Sequence, residues 1–138
     1  MRMHTEERYR DSLVGEVGDG APAATSSAGE RPAPTPEALM RSRYTAFSLG
    51  TAQAVEYLVE THHPDHRDPK LREGLLANVA GVDAWEGLRV ISASSEGDRG
   101  VVEFVATYRV GGQEGRLHER SEFVREDGRW FYTTGTIR

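Results

Sequence analysis

The 138-residue sequence contains no cysteine. That absence excludes disulfides, thiolate nucleophiles and every cysteine-ligated zinc, haem or iron–sulfur centre. Lysine is nearly missing too: Lys70 stands alone, no block of arginines replaces it, and the formal net charge is -5. A face that could neutralise a row of phosphates is therefore lacking, and no nucleic-acid partner is expected. No apolar run approaches the roughly 20 residues of a membrane-spanning helix. The charged opening Met1-Arg2-Met3-His4-Thr5-Glu6-Glu7-Arg8 leads into no apolar segment of the kind a secretion signal needs. These absences together predict a cytoplasmic protein with no membrane partner and no cofactor.

Large apolar side chains are also scarce from Gly15 to Pro34, where Gly, Ala, Ser, Thr, Pro and Glu dominate. Such a stretch cannot repay the entropy of ordering its backbone. The expected organisation is a disordered tail over residues 1–33 and one folded domain over 34–138, long enough for a single core.

The folded part opens on Thr35-Pro36-Glu37, which suits an N-cap, a first helical position and the positive end of a helix dipole. Leu39, Met40, Tyr44 and Phe47 follow at helical spacing, Arg43 lies within that stripe, and Gly50 suits the stop. Thr51 caps a second helix with Ala54, Val55, Leu58 and Val59 inward, ending near His62 because Pro64 disfavours helix at the residue before it. Asp68-Pro69 repeats the cap-then-proline signal, and Leu71, Leu75, Leu76 and Val79 give a third helix its apolar side before Gly81.

After Trp85 the period becomes alternating, in runs over 85–94, 100–110, 115–125 and 129–137. Their separators, Glu96-Gly97-Asp98, Gly111-Gly112 and Asp127-Gly128, are hairpin signals. An antiparallel meander follows, with Val102, Phe104, Ala106, Tyr108 and Val110 on a face that three amphipathic helices can cover.

In the third run, Leu117 and Phe123 facing the core carry Glu119 and Ser121 to the same side. A carboxylate left bare there would cost several kcal/mol, so it must be paired, neutralised or used. Arg43 is the natural partner through a bidentate contact. On the structural reading this pair pins the first helix to the sheet. On the functional reading it lines the mouth of a cavity, the arginine holding an anion and Glu119 acting as base.

Tyr44, Trp85 and Tyr108, with other polar-tipped aromatics, either line that cavity or pack the core. His63 sits in His62-His63-Pro64-Asp65-His66, where it serves as a cavity base or as a loop histidine. That cluster lacks a recognised metal spacing, and no metal site is assigned. A Ser121–His118–Glu119 triad is excluded because neighbours on a strand project to opposite faces. Val101, Val105, Phe131 and Ile137 are expected on the outward face, where apolar patches would serve a homodimer through the sheet.

Helices first and a curled sheet second is the order of the nuclear transport factor 2-like (NTF2-like), or cystatin-like, cone: an α+β fold with three helices packed on a curled four-stranded antiparallel sheet. The stretches from Pro34 to Phe47 and from Leu117 to Tyr132, with His63-Pro64 and Trp85-Glu86-Gly87-Leu88, resemble the YchJ-like family of bacterial proteins. The resemblance spans about residues 30–138 and implies a fold more than a chemistry, since such cones host enzymes, binding modules and dimerisation modules alike. Relatives usually carry a cysteine-rich SEC-C zinc motif ahead of the domain, and these residues contain none. The expected role is a non-enzymatic module that binds a small ligand in the cone or a protein partner. The alternative is a proton-transfer enzyme, an isomerase, dehydratase or hydrolase, using Glu119 or His63 with Arg43.

Overall fold

The computed structural model describes residues 32–138, so the expected tail lies outside the described residues except at its last two positions. There Ala33 already packs on the core. Helix α1 (Pro36–Leu49) begins where the Thr35 hydroxyl accepts the Ala38 N–H at 3.0 Å, with Pro36 at the first position. It ends at Gly50, whose φ of 65° closes the helix through an N–H donated to the Ala46 carbonyl. Helix α2 (Ala52–Glu60) is capped by Thr51 in the same way, at 3.0 Å from the Ala54 N–H. A 3-10 turn over Pro64–His66 then leads to α3 (Leu71–Ala80).

The Asp68-Pro69 signal acts differently from the simple cap expected of it. The Asp68 carboxylate accepts the Lys70 N–H at 2.7 Å, forming a turn, and the helix starts only at Leu71. Leu75 is the buried residue of α3, whereas Leu76, expected inward, is exposed. The core that α3 reaches is narrow, and Leu75 alone of the helix is buried in it.

The sheet is a meander, ordered β1 (Ala84–Glu96), β2 (Arg99–Val110), β3 (Gln113–Glu126) and β4 (Arg129–Ile137), antiparallel throughout. Each hairpin turns on two residues. Gly97 takes φ 61°, Gly111 and Gly112 take 59° and 82°, and Asp127 and Gly128 take 53° and 77°, the left-handed values that such loops demand. Irregularities interrupt the ladder at Glu86 and Ile91 in β1 and at Thr133 in β4. Extra residues of this kind bend and twist a strand, which curls the sheet around α1.

Val102, Phe104, Ala106, Leu117, Phe123, Trp130 and Tyr132 are buried on the concave face against Leu39, Met40, Tyr44 and Phe47 of α1 and Val55 and Leu58 of α2. The fold is thus the expected α+β cone. One strand position departs from expectation. Trp130 and Tyr132 face inward, and the extra residue Thr133 shifts the phase of β4, so that Gly135 pairs with Ser121 and Ile137 with Glu119. Ile137 therefore belongs to the concave side, at its open margin, with 59% of its surface exposed. None of the helices formed by the described residues is long and apolar enough to cross a membrane.

Candidate functional site

Helical spacing puts Arg43 on the buried side of α1, and strand alternation puts Glu119 and Ser121 on the concave side of β3. Arg43 is 4% exposed and Glu119 1%, so both charges are withdrawn from water. They share the walls of one small chamber with Met40, Phe104, Ser121, Phe123 and Tyr132. They do not form the bidentate pair expected of them. Arg43 Nη1 donates to the Leu58 carbonyl at 2.8 Å and to Thr61 Oγ1 at 2.6 Å, and the guanidinium lies 4.6 Å from the centre of the Tyr132 ring. The arginine thus ties α1 to the end of α2 and stacks on β4.

Glu119 Oε2 accepts the Ser121 hydroxyl at 2.9 Å, while Oε1 has no hydrogen-bond partner among the described residues. Burial pushes this carboxyl above its ordinary range, against the opposing pull of the Ser121 hydroxyl and the Arg43 charge. The Tyr132 phenol is pushed up as well, first by burial and then by the neighbouring Glu119 charge. Desolvation pulls Arg43 down from the usual arginine value. Gly135 makes this crowding tolerable: a Cβ there would overlap Glu119 Oε2 and lie 2.9 Å from Tyr132 Oη.

The space beside these groups is about 10 Å³ of room for a water centre, close to the minimum of roughly 10–15 Å³ that one water requires. One water bridging Glu119 Oε1 is the largest guest it admits. The remaining aromatic candidates lie elsewhere. Trp85 packs edge-on to Tyr44 with ring centres 6.2 Å apart and tilted against Tyr108 at 5.6 Å, an aromatic cluster between α1 and the first two strands.

His63 does not line the chamber. Its Nδ1 accepts the Asp65 N–H at 3.1 Å and its Nε2 lies 3.1 Å from Glu126 Oε1, beside the rings of His66 and Phe131. It is a turn-capping histidine at the margin of β4. The neighbouring His62 packs its ring on Tyr132 with centres 5.2 Å apart and bonds the His66 carbonyl at 3.0 Å. Burial first, then the Arg43 charge, lowers its pKa to about 4. Among the described residues no cluster of His, Cys, Asp or Glu could hold a metal ion.

Sequence reasoning missed His62 and undervalued Tyr132. Tyr132 carried a signal, since it alternates with Trp130 on one face of β4. His62 carried none: residues 61–63 run parallel along β4, with the His63 N–H donating to the Tyr132 carbonyl at 2.8 Å and the Tyr132 N–H to the Thr61 carbonyl at 2.9 Å.

Comparison with known proteins agrees with this fold. A UPF0225 protein of Chromobacterium violaceum is 51% identical over 109 residues, covering 77% of this chain and 76% of its own. The solution structure of a SEC-C motif containing protein from Rhodopseudomonas palustris superposes with a TM-score of 0.71 at 42% identity, over 78% of this chain and 82% of that one. The crystal structure of a SEC-C motif containing protein from Psychrobacter arcticus gives 0.64 at 28% identity, over 83% and 66%. The sequence here has no cysteine from which a cysteine-ligated zinc motif could be built. Residues 35–135 match the profile described as YchJ, middle NTF2-like domain, and the chain therefore belongs to the YchJ family.

Proposed function

We propose that this domain is a non-enzymatic interaction module, in which the cone serves as a filled scaffold and the outer surfaces and edges of the sheet make the contacts. The observation that carries this reading is the size of the chamber at Glu119. Ligand sites enclose about 300–1,000 Å³, whereas this space is about 10 Å³. Arg43, the group that would hold an anion, is already engaged by Leu58 and Thr61. Self-association through the sheet suits such a scaffold better than binding within it.

A second reading keeps Glu119 as a proton acceptor with Arg43 beside it, as in an isomerase, dehydratase or hydrolase. It draws on Glu119 Oε1, which has no partner among the described residues, and on the raised carboxyl pKa. It requires the chamber to open, and His63 has no part in it. Native mass spectrometry of the protein purified from its own host separates the two. The module reading predicts no stoichiometric small-molecule adduct and identical assemblies for wild type and Glu119→Gln. An adduct present in wild type and lost in Glu119→Gln would overturn it in favour of the second reading.

A further inference from the structure

The two edges of the sheet are treated differently. The β4 edge is partly covered by residues 61–63 of the same chain, whereas β1 is the terminal strand on the other side, with no further strand beside it among the described residues. Its second half is open: every residue from Ile91 to Glu96 is exposed. A bare edge offers a row of backbone donors and acceptors, and proteins usually defend it with charge or proline. From Val90 to Ser95 this strand reads Val-Ile-Ser-Ala-Ser-Ser, with neither.

We propose that the β1 edge pairs with the β1 edge of a second copy of this chain, antiparallel about a two-fold axis through Ala93. This rests on the reading of the domain as an interaction module and names its partner. The register must match the faces that the strand already presents. Val90, Ala93 and Ser95 lie opposite the buried-face residues Phe104, Val102 and Gly100 of β2, while Arg89, Ser92, Ser94 and Glu96 lie opposite Val105, Glu103, Val101 and Arg99 on the convex side. With Ala93 facing its own copy, Ser92 meets Ser94 and, after the extra residue Ile91, Val90 meets Ser95. Arg89 then meets Glu96. Each of these pairs joins residues of one face, as a continuous sheet requires.

Charge distinguishes this register from its neighbours. Arg89 and Glu96 are both exposed, and neither makes an ion pair among the described residues. In the symmetric pairing the one charge directly faces its opposite, twice. Opposite charges across an antiparallel pair stabilise it, and like charges oppose it. Moving the axis to Ser92 or Ser94 keeps the faces matched but sets Arg89 opposite Ser94, or Glu96 opposite Ser92, so the charge pairing selects the axis at Ala93.

The absence of cysteine makes the test clean. Ala93→Cys, made in the full chain, places two thiols across the axis, within the Cα separation of about 7 Å that a disulfide tolerates. Ser95→Cys places them on the order of 13 Å apart, at about 3.3 Å per paired position. Mild oxidation is expected to convert Ala93→Cys to a covalent dimer at least ten times faster than Ser95→Cys. Sedimentation equilibrium reads the same contact without the new thiol. Arg89→Glu is expected to weaken the dimer at least tenfold, and Arg89→Glu combined with Glu96→Arg to restore it.

A wild-type monomer at all concentrations, or equal crosslinking at the two positions, would overturn the pairing and leave the module reading to its mass-spectrometric test. A dimer unaffected by Arg89→Glu but lost in Val124→Asp, on the convex face, would overturn it in favour of face-to-face association. An adduct governed by Glu119 would instead remove the module reading itself.

Discussion

Glu119 and His62 both lie beside Tyr132 and are driven in opposite directions by pH. The Glu119 carboxyl is raised by burial. A raised acid contributes stability that is fully present below the unfolded value, near 4.5, and lost as pH climbs through the folded one. His62 is lowered from 6.5 to about 4. Its contribution is present above 6.5 and is lost as pH falls toward 4, amounting to about 3 kcal/mol in all.

Thermal unfolding followed against pH should therefore give a curve falling on both sides. Glu119→Gln should raise the midpoint at neutral pH, by roughly 4 °C per kcal/mol recovered in a domain of this size, and leave the acid side unchanged. His62→Gln should flatten the acid side alone. A Glu119→Gln variant less stable than wild type at neutral pH would mean that the carboxylate is satisfied by charge, contrary to the geometry at Oε1.

The elements were legible in proportion to how local their causes are. Thr35 and Thr51 as caps, Gly50 as a stop, and the three glycine-bearing hairpins depend on a few neighbouring residues, and each could be read from them. The inward placement of Arg43 and Glu119 needed only the two periods, 3.6 and 2. Their partners could not be read in this way. The bonds of Arg43 to Leu58 and Thr61 depend on how α1 crosses α2, and the burial of His62 depends on residues 61–63 lying along β4. Ile137 was misplaced because a single extra residue, Thr133, reverses the alternation after it.

The docking of α1 on the sheet rests on a comparably small feature. At Gly100 a Cβ would collide with the Pro36 ring and come within 3.4 Å of Trp130. Gly100→Ala should destabilise the domain by about 1–3 kcal/mol, read as a lower urea midpoint with an unchanged slope. No change would show that the first turn of α1 does not rest on β2.

For the whole molecule, the cone is closed over a buried acid, a phenol and a guanidinium, with Tyr44, Phe47, Phe104 and Phe123 occupying the space that a ligand would need. Buried charged groups of this kind are tolerated when other bonds hold them, and they do not by themselves mark an active site. What distinguishes this domain from an open cone is the filling of its interior. What it offers outward is a curled sheet with one edge partly covered by residues 61–63 and the other bare among the described residues.

The most direct test is a high-resolution crystal structure of the protein purified without added ligand, in which the density beside Glu119 Oε1 is measured. The filled-scaffold account predicts at most one water there, with Arg43 still bonded to Leu58 and Thr61. A chamber of about 300 Å³ or more, or extended density bridging Glu119 and Arg43, would contradict it.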